Sequence, residues 1–483
     1  MSIIKKYSQK YQSLPLGVKA AFWYMVCNFF QKGISTLTTP IFTRLMTTDQ
    51  YGQFTLFTSW QSILLVVISL KLSGGVYQQG LVKFEDKKDE FTSSLLGLTT
   101  ILVGVFFILY ICFHSFFNHV LDMSTVVMVG MFASILASSA FSLWAYRCRM
   151  DYNYIPLVVI TLLVGFLKPV TGIIAVLCSE NKGEARILSV VLVEVVIYLF
   201  LYISIFKTNK TFYDKSFWKY ALIFNIPLIP HFLSQSVLIQ SDRIMINKMC
   251  GSEFVGIYGL AYSISMMMSL VNNAIKDTLT PWILKNIKKN NLKEIGFLSD
   301  RIISIVAVVD LLVIALAPEL IKIFSPSSYH DAVWVIPPVS MSIFFTFLYC
   351  FFVDFEYYFE KTKFIMAASV ISAILNIVLN YVFIRIYGYV AAGYTTLVSY
   401  ILYCFLHYLC YRKLCIEELE NGRAYNIRNI LFISIGFLVL GFAFTALYKF
   451  IFVRLVLTAV ILIILYIKRD ILIELFKMKK RAS

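Results

Sequence analysis

Long apolar stretches recur along the whole 483-residue chain and are separated by short polar breaks. A membrane-crossing helix needs about 20 predominantly apolar residues. This spacing predicts an all-α polytopic membrane protein with about fourteen transmembrane helices. The predicted crossings span residues 17–41, 50–72, 91–114, 122–145, 154–178, 185–206, 217–246, 253–276, 297–323, 330–355, 361–386, 389–411, 427–448 and 451–471.

The composition excludes a soluble protein. Hydrophobic residues make up 59% of the chain and charged residues 14%, whereas soluble domains contain roughly 45–50% apolar and about 25% charged residues. Residues 1–20 lack an apolar core followed by a small-residue cleavage site, so we expect no signal peptide and a retained first helix.

The formal net charge of +16 is best explained by the membrane topology of the chain. Most of the 43 Lys and Arg residues fall in alternate loops and in the two termini. Because cytoplasmic loops are enriched in Lys and Arg, we expect both termini to be cytoplasmic and expect no nucleic-acid partner. The nine Cys residues are scattered without C-x-x-C spacing, which predicts neither a disulfide framework nor a metal site.

A polar segment near the middle of the chain, KTNKTFYDKSFWK at 207–219, predicts a linker between two lobes. We expect an N-terminal lobe at 1–210 with crossings one to six and a C-terminal lobe at 211–415 with crossings seven to twelve. Residues 416–483 would add two further helices and a basic tail.

A weak internal repeat favours the same division. The pair Tyr51-Gly52 opens the second crossing, and the pair Tyr258-Gly259 opens the eighth. An even number of crossings in each lobe gives both lobes the same orientation, as in transporters built from parallel repeats.

Polar residues are concentrated in the stretch from Phe224 to Asp277, which covers crossings seven and eight. His231, Gln235 and Asp242 share one helical face. A second polar stripe at the other end of the stretch consists of Asn272, Asn273, Lys276 and Asp277. Such groups are costly in hydrocarbon, so we expect these helices to face protein or a water-filled cavity.

Four segments carry a resemblance to a known family. They are TRLMTTDQYGQFTLF (43–57), IPLIPHFLSQSVLIQSDRIMI (226–246), GSEFVGIYGLAYSISMM (251–267) and GYVAAGYTTLVSYILYCFL (388–406). Together they resemble the Wzx-type flippases of polysaccharide and O-antigen biosynthesis, within the multidrug/oligosaccharidyl-lipid/polysaccharide exporter superfamily.

The resemblance implies a V-shaped pair of six-helix lobes around a cavity lined by helices 1, 2, 7 and 8. It implies that an undecaprenyl-pyrophosphate-linked sugar moves from the inner to the outer leaflet of a bacterial cytoplasmic membrane by alternating access. Candidate partners are the lipid bilayer, a polysaccharide polymerase and chain-length proteins. The cavity positions that carry over are Lys32, Arg44, His231, Gln235, Asp242 and Arg243.

Cations in or near the crossings are candidates for binding the pyrophosphate. Asn28, Gln31 and Lys32 cluster in the first crossing, where a mid-membrane lysine costs about 2.5–3.5 kcal/mol on insertion scales. Lys32 is therefore the first candidate for a phosphate contact. The alternatives are a structural ion pair with Asp242 or Asp277, or a side chain that reaches the membrane interface.

Two cations are predicted at the outer ends of helices, Arg44 at the outer end of crossing one and Arg243 at the outer end of crossing seven. Either could receive the pyrophosphate, and ion pairing between helix ends is the alternative. Pro227 and Pro230 each remove a backbone donor, which predicts a bending point in crossing seven. The alternative is a kink that only improves packing.

Three ionisable residues lie in other crossings. Lys168 and Glu194 could pair with each other or bind sugar or an ion, and Asp310 has no charged neighbour in sequence. A lone buried carboxyl group invites coupling to protons or sodium, so Glu194 and Asp310 are the ion-coupling candidates. Asp354 and Glu356 are expected at the membrane interface.

Two other functions compete with the flippase hypothesis. A small-molecule or multidrug antiporter of the same superfamily would use carboxylates for cation coupling. A membrane polysaccharide polymerase would need a large extramembrane loop with catalytic residues, and no predicted loop is long enough. No Walker A or nucleotide-binding glycine pattern is present either, so we expect a transporter without a cofactor or a catalytic residue.

Overall fold

The computed structural model describes residues 15–420 and 422–467, which form α-helices and short 3-10 turns and contain no β-strand in these ranges. The helices up to residue 250 are α1 Leu16–Leu45, α2 Thr48–Ser69, α3 Gly75–Lys83, α4 Lys88–Cys112, α5 His114–Leu121, α6 Thr125–Met150, α7 Tyr154–Cys178, α8 Lys182–Thr208, α9 Lys215–Asn225 and α10 Ile229–Cys250. The helices that follow are α11 Ser252–Ser265, α12 Met267–Lys288, α13 Leu292–Ala315, α14 Ala317–Phe324, α15 Ile336–Tyr358, α16 Thr362–Tyr387, α17 Ala391–Glu417, α18 Ile427–Ala446 and α19 Ile451–Ile467.

The described ranges contain ten helical segments long and apolar enough to cross a membrane, or eleven if the bent pair α13–α14 counts as one span. Each of the fourteen predicted crossings overlaps a helix, but α1, α17 and α19 are not among these segments. The all-α, multi-pass architecture is therefore confirmed, whereas the number of fourteen crossings stays a prediction.

The chain divides into two compact units, unit 1 at Met1–Ser236 and unit 2 at Val237–Ser483. The boundary falls inside α10. The division into lobes at 1–210 and 211–415 with two further helices stays a prediction.

Unit 1 is built around α6, α7 and α8. Helix α8 packs on α6 and α7, α1 packs on α7, and α2 packs on α8. Small buried residues on α6, among them Ser134, Ala137 and Ala140, let the neighbouring helices approach closely. In a bilayer such close packing replaces the hydrophobic effect as the main source of helix association.

Helix α15 lies at the centre of unit 2, since 89% of the residues in the most apolar part of this helix are buried. Helix α15 packs mainly on α17 and also on α12 and α13. It begins at Ile336, later than the predicted start at residue 330, because Ser327–Trp334 form a 3-10 helix and Pro337 and Pro338 occupy the first turn of α15.

A glycine in each unit makes room for a backbone carbonyl. A Cβ atom at Gly97 of α4 would lie 2.1 Å from the carbonyl oxygen of Phe212, and one at Gly296 of α13 would lie 2.0 Å from that of Ala424. Neither position tolerates a side chain without moving the backbone. Phe212 follows α8 and Ala424 follows α17, so each carbonyl belongs to the segment that comes after the last helix of a predicted lobe.

The crossing predicted over 297–323 is broken. Helices α13 and α14 meet at Leu316 with a bend of 58°, and Pro318 lies in the first turn of α14. Helix α19 docks beside this break, because Arg454 is 1% exposed and pairs with Glu319 of α14 at 2.5 Å.

Candidate functional site

The buried charges of unit 1 centre on an ion pair between α7 and α8. Lys168 Nζ lies 2.6 Å from Glu194 Oε1. The second oxygen of Glu194 accepts a hydrogen bond from the Ser134 hydroxyl, which in turn accepts one from Gln61 Nε2 at 2.6 Å. The pairing of Lys168 with Glu194 is therefore confirmed.

Arg186 of α8 adds a second cation to this group. It is 8% exposed, donates a hydrogen bond to the Lys168 carbonyl oxygen at 2.8 Å and lies 3.8 Å from the ring centre of Phe42. Gly172 makes room for it, because a Cβ there would lie 1.9 Å from the guanidinium. Among the described residues no carboxylate pairs with Arg186. Two cations thus accompany one carboxylate, Glu194, and the excess positive charge suits an anion.

Helix α1 carries the cations that the sequence selected for phosphate. Lys32 and Gln31 are exposed, and the Gln31 side chain lies close to Gly165 of α7. Arg44 is exposed in the last turn and donates to a carbonyl of the preceding turn at 3.0 Å. Lys32 and Arg44 lie about 18 Å apart along the helix axis, so one phosphate group cannot bind both. The side chain of Asn28 lies outside the described residues.

Unit 2 buries Asp242 completely and surrounds it with hydrogen-bond donors. Its Oδ1 accepts from Asn380 Nδ2 at 2.7 Å. Its Oδ2 accepts from the Tyr258 hydroxyl at 2.6 Å and from the Thr396 hydroxyl at 2.7 Å. These donors lie on α16, α11 and α17, so one carboxylate on α10 connects four helices.

A second layer of hydrogen bonds surrounds these donors. Asn376 Oδ1 accepts from Ser241 at 2.8 Å and from Asn380 at 3.2 Å, and its amide donates to Thr396 at 3.2 Å. Thr395 donates to Asn380 Oδ1. The sequence reasoning missed this layer, although Asn376 and Asn380 stand four residues apart on one face of an apolar helix.

Arg243, which the sequence predicts at the outer end of crossing seven, is buried. It is 7% exposed, and its guanidinium donates to the Ile239 carbonyl at 2.5 Å and to Gln240 Oε1 at 3.0 Å. Its Cζ lies 4.0 Å from the ring centre of Tyr262, a cation–π contact. These contacts hold the side chain inside unit 2.

The polar stripe predicted on α12 has mixed exposure. Asn272 is 5% exposed, and neither polar atom of its side chain has a partner among the described residues. Lys276 is partly buried beside the Cys350 thiol and the Asp354 carboxylate, whereas Asp277 is exposed. The stripe therefore does not form a single exposed surface.

The predicted bending point coincides with a break in helical structure. Ile226–Leu228 form a 3-10 turn that contains Pro227, and Pro230 lies in the first turn of α10. His231 and Gln235, which follow in the same helix, are both partly buried. The role of Pro227 and Pro230 as a hinge stays a prediction.

The two ion-coupling candidates, Glu194 and Asp310, differ in their hydrogen-bond partners. Glu194 is engaged by Lys168, as described above. Asp310 of α13 is 0% exposed, and within the described residues neither of its oxygens has a hydrogen-bond partner. Val306, Ala307 and Leu311 of the same helix are buried around it.

Asp354 and Glu356 are both buried inside the protein, and their predicted depth at the membrane interface stays a prediction. Asp354 is 4% exposed and accepts a hydrogen bond from Thr280 of α12. Glu356 is 0% exposed and lies 2.8 Å from Nδ1 of His407, which is equally buried on α17. The sequence reasoning did not consider His407, because a single histidine in an apolar helix carries no signal of its partner.

Comparisons with known proteins identify one family whose pattern covers more than half of this chain. The family described as polysaccharide biosynthesis protein matches residues 18–287, and the family MatE matches residues 227–382. A relative from Haemophilus influenzae, Lsg locus putative protein 1, is 22% identical over 373 residues, which cover 73% of this chain and 88% of that protein.

Two solved structures show the same fold. The lipid II flippase MurJ in an inward closed conformation superposes with a TM-score of 0.70 at 12% identity and covers 92% of this chain and 99% of its own. An inward-facing multidrug resistance MATE family transporter of the MOP superfamily has a TM-score of 0.61 at 14% identity and covers 79% and 94%.

Proposed function

Because the chain belongs to the polysaccharide biosynthesis protein family, we propose that it is a flippase for a lipid-linked sugar. The substrate would be an undecaprenyl-pyrophosphate-linked oligosaccharide, an O-antigen or capsule repeat unit, and it would move from the inner to the outer leaflet by alternating access. The proposed location is the bacterial cytoplasmic membrane, with both termini inside.

The observation that carries this proposal is the exposure of Lys32 in the middle of α1. A charged side chain at this depth is costly in hydrocarbon, so we infer that Lys32 faces water. A pyrophosphate is an anion, and the Lys32 ammonium would neutralise part of its charge. The Lys168–Arg186 group in the same unit adds positive charge.

Arg44 is the better candidate for a second phosphate contact in another conformational state. It is exposed at the end of α1, whereas Arg243 is buried and engaged with Gln240 and Tyr262. Arginine can bind phosphate through two parallel hydrogen bonds. Gln31, His231 and Gln235 of unit 1 are candidates for the sugar hydroxyls.

Two parts of the proposal concern the cycle and the partners. Pro227 and Pro230 would absorb the backbone change as α10 moves, and Pro→Ala at both positions should slow transport. The polyprenyl tail would stay in the lipid bilayer. A polysaccharide polymerase and chain-length proteins are the proposed consumers of the flipped unit.

A cation-coupled small-molecule antiporter is the second candidate function. It is favoured by the MatE match over residues 227–382 and by the buried carboxyl groups of Asp242 and Asp310 in unit 2. The flippase is preferred because the polysaccharide family matches more than half of the chain and because the buried cations of unit 1 suit an anion.

The test is complementation of a bacterial strain that lacks its own O-unit flippase, with surface polysaccharide as the readout. Wild type, Lys32→Ala and the control Lys19→Ala, which changes another lysine of α1, are compared at equal membrane levels. Wild type and Lys19→Ala should restore surface polysaccharide, and Lys32→Ala should not.

Full activity of Lys32→Ala would contradict the phosphate contact while leaving the flippase intact. No rescue by wild type with any of several sugar backgrounds would contradict the flippase. Drug-accumulation assays with the same membranes would then test the antiporter.

A further inference from the structure

A polar cavity of about 190 Å³ lies at one end of unit 1, between the start of α4 and the ends of α6 and α8. Asp89 lies in the first turn of α4, Asp151 directly follows α6, and Thr208 is the last residue of α8. Since a water molecule takes about 30 Å³ of liquid, the cavity has room for a small polar group. None of the substrate contacts proposed above includes it.

The charged side chains that line the cavity sum to one negative charge. Arg147 Nη2 lies 3.1 Å from Asp89 Oδ1, and Arg147 Nε lies 2.5 Å from Asp151 Oδ2. The side chains of Asp89 and Asp151 are 52% and 39% exposed, so a ligand can still reach both carboxylates. One guanidinium therefore serves two carboxylates, and a second cation would balance the charge.

The neighbouring cations have partners of their own. Lys87 lies 3.8 Å from Glu90, and Lys88 lies 3.5 Å from Glu85. Arg149 lies over two tyrosine rings. Within the described chain none of these three cations forms an ion pair with a carboxylate of the cavity. The extra negative charge of the cavity is thus available to a ligand.

The rest of the lining suits a group that carries both an ammonium and a phosphate. Trp144 forms part of the wall, and an indole ring attracts a cation. Ser204 and Asn153 also line the cavity and are exposed, and their hydroxyl and amide groups can donate to phosphate oxygens. The Nη1 atom of Arg147 is a further donor, which has no acceptor among the described residues.

The cavity lies at the depth of lipid headgroups. Helices α4, α6 and α8 are all long and apolar enough to cross a membrane, and the cavity is at their ends. Tryptophan, which lines it, is enriched at membrane–water interfaces. The distribution of Lys and Arg predicts that this end of unit 1 is cytoplasmic.

An exposed apolar stripe leads from the cavity along α8. Phe200 lies one turn before Ser204, and Val196 lies one turn before Phe200. These two apolar side chains are 69% and 48% exposed. Because α8 is a membrane-length helix, they are placed to contact hydrocarbon. A ligand with a polar head in the cavity and an apolar chain along α8 matches this arrangement better than a free amine does.

We propose that this cavity binds the headgroup of a phospholipid that carries a primary ammonium beside its phosphate, as in phosphatidylethanolamine. The ammonium donates hydrogen bonds to Asp89 and Asp151 and lies against Trp144. The phosphate accepts hydrogen bonds from Ser204 and Arg147, and one acyl chain follows α8. This site does not depend on which substrate the chain transports.

The test uses the full chain, purified in detergent and freed of lipid, and measures lipid binding by native mass spectrometry. Phosphatidylethanolamine is compared with phosphatidylcholine and phosphatidylglycerol that have the same acyl chains. Choline has no N–H donor, and the glycerol headgroup has no cation. We expect phosphatidylethanolamine to bind about tenfold more tightly than either, because it alone gains charge-assisted hydrogen bonds to the carboxylates. Equal binding of phosphatidylethanolamine and phosphatidylcholine would overturn the proposal.

Two variants locate the site. Asp89→Asn combined with Asp151→Asn removes both carboxylates and should lower the affinity for phosphatidylethanolamine about tenfold, to that for phosphatidylcholine. Ser204→Phe fills the cavity, leaves the three charged side chains in place and should have the same effect, so it decides the outcome where the double variant does not fold. Asp86→Asn, an exposed change at the same end of unit 1 and outside the lining, should match wild type. A preference retained in either folded variant would overturn the site.

A soluble ligand distinguishes a lipid from a free amine. Phosphoethanolamine carries the same ammonium and phosphate without acyl chains. We expect it to displace the lipid only at concentrations at least about a hundredfold higher, because the acyl chain adds apolar contacts along α8. Binding of phosphoethanolamine as tight as that of the lipid would show a site for a free amine and overturn the lipid proposal.

Discussion

Glu194 of unit 1 and Asp242 of unit 2 are two buried carboxyl groups with different kinds of partner. In unit 1, Glu194 meets the ammonium of Lys168, and Arg186 lies against an aromatic ring and a carbonyl. In unit 2, Asp242 receives hydrogen bonds from neutral donors alone, and Asp310 receives none in the described chain. The Asp242 carboxyl group is thus held by a hydrogen-bond network, and the Glu194 carboxyl group by a paired cation.

Removing the Asp242 carboxylate is the most direct test of this comparison. Asp242→Ala leaves the donors of Tyr258, Asn380 and Thr396 without their acceptor. Because each unsatisfied buried donor costs about 1–3 kcal/mol, we expect a loss of about 3 kcal/mol or more in the free energy of unfolding. Thermal unfolding of the purified protein in detergent measures the loss. Asp277→Ala, an exposed change in the same unit, should remain within about 0.5 kcal/mol of wild type.

The ion pair of unit 1 should show a smaller effect. Glu194→Gln leaves Lys168 without its countercharge, but the lysine side chain is 26% exposed and can reach water. We expect a loss of about 1–3 kcal/mol, and a double-mutant cycle with Lys168→Met should give a coupling energy of at least about 0.5 kcal/mol. Glu180→Gln, an exposed change before α8, is the control. Strict additivity of the two variants would show that the pair is not energetically significant.

An exposed carboxylate gives a reference for the buried ones. Asp214 caps α9 by accepting hydrogen bonds from the backbone of Ser216 at 2.8 Å and of Phe217 at 3.0 Å. The Ser216 hydroxyl and the backbone N–H of Phe217 hold the pKa of Asp214 below its ordinary value. Asp214→Ala should cost about 1 kcal/mol at neutral pH, as for other N-cap residues.

The sign of the pH dependence follows from that lowered pKa. The ionised cap contributes stability above the unfolded-state pKa, about 3.9, and loses it as the pH falls through the folded-state pKa. Stability differences between wild type and Asp214→Ala should therefore shrink in acid. A difference that stays constant from neutral pH to about pH 2 would contradict the cap.

The smallest effect is expected for the second buried aspartate of unit 2. Asp310→Ala removes a carboxyl group with no partner, which is favourable, and leaves a small cavity, which is unfavourable. We expect a net change within about 0.5 kcal/mol of zero, in contrast to the same substitution at Asp242. A loss as large as that of Asp242→Ala would show that Asp310 has a partner of its own.

The sequence predicted the helices well because each crossing is a long apolar run, and it predicted Lys168 with Glu194 because α7 and α8 are consecutive. It could not pair Asp242 with Asn380 and Thr396. Those residues lie 138 and 154 positions further along the chain, and only the packing of separate helices brings them together.

Burial was the property that the sequence predicted least well. Glu356 and Arg454 stand near the ends of apolar runs, where the membrane interface is the usual place for a charge. In the structure each is enclosed by its partner helix, α17 for Glu356 and α14 for Arg454. The break at Leu316 had a visible signal in Pro318, but apolar residues continue on both sides of it.

The close approach of the Phe212 carbonyl to Gly97 limits where a reporter domain can be inserted. The Phe212 carbonyl packs against Gly97, and the Trp218 indole donates a hydrogen bond to the Ser94 carbonyl at 3.0 Å. These two contacts attach the polar segment after α8 to unit 1. A fluorescent protein inserted in this segment would disrupt the contacts of Phe212 and Trp218. The segment between α8 and α9 is therefore a poor position for a genetically encoded sensor.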